Sequence, residues 1–326
     1  MSIKSNIYIT LPFFPEVHTA LAQHFNVSAN PINKVLLGDA LINPISNVEG
    51  VVCSVVDRID ETLLARCPKL RAVCNVGVGY NNIDVAACSK RGIMVTNTPG
   101  VLDDSTADLA FALILATARR ITEAEAWLRA GNWKEWDFEL MVGTDVHHTT
   151  LGIVGMGRIG QAVARRARGF DMKVIYHNRN RVAVDVETSC NATYRGFEDL
   201  LREADFVLLQ LPYTKETHHL IGPRELALMK PSAMLINVAR GGVVDDAALV
   251  DALKNKRVAG AGLDVFENEP KLNPGFFDLK NVVLVPHVGS ATLATRKAMA
   301  MAAANNLIAA LSGKKPPNLV NPEVLK

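Results

Sequence analysis

The sequence lacks a long hydrophobic segment. Its longest apolar run, residues 109–118, falls far short of the roughly 20 residues that cross a bilayer. It also lacks an excess of either charge: 35 Lys and Arg stand against 33 Asp and Glu, for a net charge of +2. That balance gives no reason to expect nucleic acid or an acidic membrane surface as a partner. No C-x-x-C occurs among five scattered cysteines, Cys53, Cys67, Cys74, Cys88 and Cys190. An odd, scattered set argues against both a disulfide framework and a zinc site; these residues read as small buried apolar groups in a reducing cytoplasm. The beginning of the chain has no signal-peptide core and reads as a first strand. His147-His148 and His218-His219 are adjacent pairs. Neighbours share neither a helix face nor a strand face, so no metal site is expected. No solenoid-period repeat or low-complexity tract appears.

What is present centres on residues 151–160. An apolar strand pattern leads into Gly155, Gly157 and Gly160 at G-x-G-x-x-G spacing, and a helix pattern follows from Gln161. Strand, glycine turn and helix is the arrangement that holds a dinucleotide pyrophosphate. Gly155 permits the tight turn, Gly157 lets backbone approach the phosphates, and Gly160 lets helix and strand pack closely. The helix start offers free N–H groups and a positive dipole to the anion.

The next strand, 172–177, lacks the acid that accepts hydrogen bonds from an NAD ribose. Its tip carries Asn178, Arg179, Asn180 and Arg181 instead. Arg179 and Arg181 suit a 2′-phosphate, so NADP(H) is expected over NAD(H).

At 326 residues and 49% hydrophobic composition, the chain has room for two domains with sizeable cores. Residues 1–100 alternate strand patterns (6–10, 50–54, 70–75, 94–97) with helix patterns (16–24, 59–66). Val17, Ala20, Leu21 and His24 would share one side of the first helix. The alternation predicts a parallel sheet covered by helices. A glycine turn with Val78 and Gly79 follows the strand at 70–75 and reads as a carboxylate seat. Asp103 or Asp104 is expected to cap a helix from 105 to about 118 that connects the domains. Trp127, Trp133 and Trp136 read as packing or a subunit contact. A final helix, 298–311, is expected to return to the first domain.

Denser alternation runs from 151 to about 290, with strands near 205–212, 233–242, 259–266 and 282–287. Ligands bind beyond the carboxyl ends of such strands. Arg240, Asp264 and His287 stand at those ends, and Glu269 follows Asp264. His287 suits proton donation to a carbonyl oxygen. Glu269 would orient its ring and keep it protonated. Arg240 can fork onto a carboxylate and a ketone oxygen. With a hydride donor in the dinucleotide site, a 2-keto acid would become a 2-hydroxy acid.

Residues 151–160, 236–245, 262–270 and 286–290 together resemble the D-isomer-specific 2-hydroxyacid dehydrogenase family, and the likeness runs along essentially the whole chain. Within it, the chain is most similar to the NADPH-preferring bacterial glyoxylate/hydroxypyruvate reductases that also act on 2-ketogluconate; residues 143–148 point the same way. The resemblance implies an α/β fold of two doubly wound parallel-sheet domains with a cleft between them. A flavodoxin-like substrate domain would span 1–102 and 291–326, and an NADP-binding Rossmann domain 103–290. Arg240, Glu269 and His287 become the implied catalytic set. Implied cofactor contacts are Thr106, Gly157, Arg158, Ile159, Arg179, Leu211, Pro212, Thr217, Val238, Ala239, Asp264 and Gly289. The substrate would meet Val78, Gly79, Arg240 and His287. A homodimer formed through the cofactor domain is also implied.

Two other readings stand beside the reductase. One is a dinucleotide-sensing protein like the co-repressors that share this fold. The other is a different enzyme of the family, such as a phosphoglycerate or formate dehydrogenase. Arg58, after the strand at 50–54, would reach a sugar hydroxyl or a phosphate, or serve only as a surface charge.

Overall fold

The chain, as a computed structural model, is described over residues 4–325, so the sequence reading of residues 1–3 lies outside the described residues. It divides into two compact units, Met1–Leu102 with Thr292–Lys326, and Asp103–Ala291.

The first unit holds five parallel strands: β1 (Asn6–Ile9), β2 (Asn26–Ala29), β3 (Gly50–Ser54), β4 (Ala72–Val76) and β5 (Met94–Thr96). Their order, β2-β1-β3-β4-β5, is the flavodoxin-like one. The chain reverses direction across the sheet between β1 and β3, which makes that junction the switch point. β3 and β4 are buried along their whole length, as continuous apolar strands covered on both faces should be. The helix Leu293–Leu311 lies against them. It starts five residues before position 298 because the Thr292 hydroxyl accepts the Thr295 N–H at 3.1 Å and caps it there. The first helix, Pro15–Ala22, ends before His24, which is exposed; Val17 and Leu21 carry its buried side.

The second unit holds seven parallel strands: β6 (Thr150–Val154), β7 (Lys173–His177), β8 (Ala192–Tyr194), β9 (Phe206–Leu209), β10 (Met234–Asn237), β11 (Gly260–Leu263) and β12 (Val282–Leu284). The order β12-β11-β10-β9-β6-β7-β8 is the doubly wound dinucleotide-binding order extended by one strand. Its switch point lies between β6 and β9. One apolar core, with Phe111, Ile114, Leu151 and Val163, covers one face. Another, with Leu200, Leu235, Leu249 and Phe276, covers the other.

Two expectations need correction here. The helix Asp103–Ala118 already includes Asp103 and Asp104, so neither caps it. Both sit in its first turn, where a carboxylate faces the positive end of the dipole. That helix is not a connector either. It packs on the helix Arg158–Ala167 and on β10 and β11, all within the second unit, and Arg166 Nε donates to Asp108 Oδ1 at 2.7 Å across the helix pair. Of the tryptophans, Trp127 is half-buried. The helix Ile121–Arg129 has no buried residue, and Trp133 and Trp136 are exposed. All five cysteines are buried and free. Among the described residues no helix is long and apolar enough to cross a membrane.

Candidate active site

The glycine turn sits at the switch point of the second unit. Gly155 has φ +108, and a Cβ there would lie 2.1 Å from the Gln210 carbonyl oxygen beyond β9. A Cβ at Gly160 would lie 2.3 Å from the Gly155 oxygen. These two glycines are required by the protein's own packing. Gly157 is different. It is the residue before the helix Arg158–Ala167, its φ is −80, and a Cβ there would meet nothing within 4 Å. Neither backbone strain nor a neighbouring atom demands glycine at that position. The open space lies at a helix start, where N–H groups lack partners. Arg158 is held by Asp103, Nε to Oδ2 at 2.8 Å, and Ile159 is half-buried.

At the tip of β7, Asn178 Oδ1 accepts the Met156 N–H at 2.7 Å. Its amide is therefore turned with the acceptor toward the glycine loop, and Nδ2 has no partner among the described residues. Arg179 is exposed. Arg181 does not join it, which corrects the sequence reading. Its Nε and a terminal nitrogen both donate to Glu187, each at 2.7 Å, and Glu187 also accepts the Tyr176 hydroxyl at 2.5 Å. A two-pronged bond to a carboxylate already occupies the guanidinium.

The other residues expected at the cofactor fall on strand ends and the loops that leave them. Leu211 is half-buried and Pro212 exposed. Thr217 closes their loop, since its hydroxyl donates to the Pro212 oxygen at 2.9 Å and accepts the Thr214 N–H at 2.7 Å. Val238 and Ala239 are buried at the end of β10. Asp264 is buried, and its two oxygens accept the N–H groups of Val288 and Gly289 at 2.6 and 2.9 Å. Burial raises its carboxyl above the ordinary value even though those bonds and His287 oppose the rise. In this structure Asp264 clamps the turn that carries His287. Gly289 and buried Thr106 stand close by; a Cβ at 289 would be 3.3 Å from Thr106 Cγ2.

The structure brings Glu269 and His287 together. His287 Nδ1 lies 2.8 Å from Glu269 Oε2, and Glu269 Oε1 accepts the Phe266 N–H at 2.8 Å. Burial favours protonation of Glu269, but the bond to His287, the Phe266 N–H and the nearby Arg240 charge outweigh it and leave the carboxyl below its ordinary value. His287 adopts φ +53, an uncommon conformation for a residue with a side chain. Its N–H is held by the Asp264 carbonyl oxygen at 2.9 Å. The far ring nitrogen, Nε2, has no partner among the described residues. Arg240 donates to the Ala239 oxygen at 2.7 Å. Burial lowers its affinity for a proton, and Glu269 and Asp264 oppose that effect; a guanidinium stays charged regardless.

In the first unit, the turn after β4 presents Val78 and Gly79. Among the described residues neither of their N–H groups meets an acceptor. Arg58 is exposed and pairs with Asp60 at 2.9 Å.

Residues 111–289 match the D-isomer specific 2-hydroxyacid dehydrogenase NAD binding domain. The chain belongs to the D-isomer specific 2-hydroxyacid dehydrogenase family. A glyoxylate reductase of Thermococcus gammatolerans is 48% identical over 99% of this chain and 98% of its own length. A glyoxylate reductase of Thermococcus litoralis is 54% identical over 87% of each. Among solved structures, an NADPH-dependent glyoxylate/hydroxypyruvate reductase from Sinorhizobium meliloti, in complex with NADP and malonate, matches with a TM-score of 0.87 at 36% identity, over 98% of both chains.

Some of what shapes this dehydrogenase site was not foreseen. Gly241 follows Arg240 directly, and a Cβ there would lie 1.7 Å from the Phe266 oxygen. Only glycine lets the loop behind Arg240 touch the loop leading to Glu269. A glycine next to a charged strand-end residue was the available signal. A brace on that second loop was also missed: the Asp246 carboxylate accepts the Glu267 N–H at 3.0 Å, and Glu267 Oε1 pairs with His219 Nε2 at 2.6 Å. The histidine pairs need correction as well. His218 and His219 stack at 3.9 Å, and His147 and His148 meet edge-on at 5.0 Å. Both pairs lie in loops with positive φ at the second residue, so the alternation of a strand or helix does not apply. Among the described residues no group of three His, Cys, Asp or Glu side chains is placed to hold a metal ion.

Proposed function

We propose that this dehydrogenase reduces glyoxylate to glycolate, and also hydroxypyruvate and 2-ketogluconate to D-2-hydroxy acids, using NADPH in preference to NADH. The observation that carries the reading is the His287–Glu269 pair, with Arg240 within electrostatic reach, at the strand ends of a dinucleotide-binding sheet. The residues present fit a dinucleotide: the space at Gly157 receives phosphate backbone, and the start of the helix Arg158–Ala167 supplies N–H groups. When bound, the cofactor supplies a hydride to the keto carbon. Arg240 holds the substrate's carboxylate and keto oxygen and stabilises charge that develops there. His287 gives a proton to that oxygen through Nε2. Glu269 fixes the ring by its Nδ1 and balances its charge.

The NADPH preference rests on donors at the tip of β7. Asn178 Nδ2 and the exposed Arg179 suit a 2′-phosphate, whereas a carboxylate there would repel it. Of the two arginines in the sequence reading, only Arg179 takes this role. The Sinorhizobium relative, named as NADPH-dependent and solved with NADP, supports the choice.

The same reading includes a cytoplasmic homodimer formed through the second unit. Trp133, Trp136, Phe138 and Val142 are exposed there, an apolar stretch that water alone covers poorly. A dinucleotide sensor has no need of a paired imidazole and carboxylate, so the set favours an enzyme. The test is a panel of 2-keto acids with NADPH and NADH on purified protein, following nicotinamide absorbance. Oxidation of NADPH by glyoxylate is expected; silence with every 2-keto acid contradicts the reading.

A further inference from the structure

The turn after β4 has a built shape. Its three carbonyl groups are all tied back by side-chain amides or backbone of the first unit. Asn75 Nδ2 donates to the Gly79 oxygen at 2.9 Å and to the Gly77 oxygen at 3.3 Å. Asn97 Nδ2 donates to the Val78 oxygen at 2.8 Å. The Thr98 N–H reaches the Gly77 oxygen at 3.0 Å. In a planar trans peptide the N–H points opposite to the C=O of the preceding residue. Holding the Gly77 and Val78 carbonyls therefore turns the Val78 and Gly79 N–H groups away from the sheet's own partners, where they meet no acceptor. Successive free N–H groups form a concavity suited to an anion.

The brace continues into the core. Asn75 is fully buried within β4. Asn82 Nδ2 donates to the Ser54 and Asp57 oxygens at 3.0 and 2.9 Å and stands 3.4 Å from Asn75 Oδ1. Buried Asp57 in turn accepts the Thr10 hydroxyl at 2.5 Å and the Ser54 N–H at 2.7 Å. Thr10 follows β1 and Ser54 ends β3, so this network spans the switch point of the first sheet. Asp57 Oδ1 and Asn82 Oδ1 meet no partner among the described residues, so the network is partly satisfied, and the bonds that it does make tie the loop to β1 and β3.

We propose that Asn75 and Asn97 are positioning residues for the substrate's carboxylate, setting the Val78 and Gly79 N–H groups as its seat. The proposal rests on the 2-keto acid reading. Neither asparagine touches the substrate; each acts through the carbonyl it holds. Loss of aligned donors to a carboxylate should weaken its binding about 10- to 100-fold.

The test uses Asn75→Ala and Asn97→Ala in the full chain. The readouts are KM for glyoxylate, kcat, the NADPH Kd, and the Kd of oxalate by calorimetry with NADPH bound. KM and the oxalate Kd should rise about 10- to 100-fold, with kcat within about threefold and NADPH binding unchanged. If Asn75→Ala fails to fold, half-buried Asn97 decides alone. An oxalate Kd within about twofold of wild type in Asn97→Ala overturns the proposal, as does a parallel loss of NADPH binding or a wild type that binds no oxalate. A wild type that binds oxalate yet reduces no 2-keto acid defeats the reductase reading instead, and the oxalate comparison still decides the role of the asparagines.

Discussion

Glu269 faces His287 with one oxygen and the Phe266 N–H with the other, at 2.8 Å each. Both carboxylate oxygens are thus engaged, and the imidazole is held by its near nitrogen. Because the native carboxyl titrates below its ordinary value, it stabilises the fold at pH values above the unfolded carboxylate range. That contribution is lost as pH falls through the lowered native value. Glu269→Gln should therefore be less stable than wild type at neutral pH; the gap should begin to narrow as pH falls through the ordinary glutamate range, about 4.3, and close below the lowered native value. Urea unfolding of both proteins across acidic to neutral pH checks the sign. A gap that widens toward acid contradicts it.

The three glycines of the turn make a second prediction, because they serve different neighbours. Alanine at Gly155 or Gly160 would place a carbon within 2.1 or 2.3 Å of backbone oxygen. Either change should destabilise the protein by about 1–3 kcal/mol. Alanine at Gly157 meets open space, so stability should change by less than about 1 kcal/mol. Its NADPH affinity should nevertheless fall at least about tenfold, because the methyl takes room reserved for phosphate. Thermal melts and fluorescence titration separate the two effects. Tight NADPH binding by Gly157→Ala would contradict the assignment.

Cofactor choice gives a third prediction, since the two arginines after β7 behave differently. Arg179→Ala should reduce the preference for NADPH over NADH about 10- to 100-fold, the loss of a charge-assisted contact to phosphate. Arg181→Ala should leave that ratio unchanged and lower stability, because its partner is Glu187. Ratios of kcat/KM for the two cofactors, with melting curves alongside, test both. An equal effect of the two substitutions on the ratio would refute the distinction.

These outcomes also show what could be read from the chain alone. Gly155, Gly157 and Gly160 were legible because strand, turn and helix are neighbours in sequence. Arg240, Asp264 and His287 were legible because each ends an apolar strand run. The pairing of Arg181 was not, because its partner lies on the helix Val184–Cys190, a short segment with little apolar periodicity. β2 was invisible for a related reason: it is an edge strand of four residues with none buried. Nor did sequence show that Asn75 and Asn97 hold the turn at Val78 and Gly79, since side-chain bonds to backbone oxygens leave no spacing pattern. The start of the helix Asp103–Ala118 was misplaced because acidic residues suit a first turn as well as a cap.

The central claim is that His287, backed by Glu269, delivers the proton in 2-keto acid reduction. The most direct measurement compares wild type with His287→Ala for NADPH oxidation by glyoxylate, with NADPH binding measured separately. The account predicts a loss of about 100- to 10,000-fold in kcat with cofactor affinity retained. Turnover at the wild-type rate without the imidazole would contradict it.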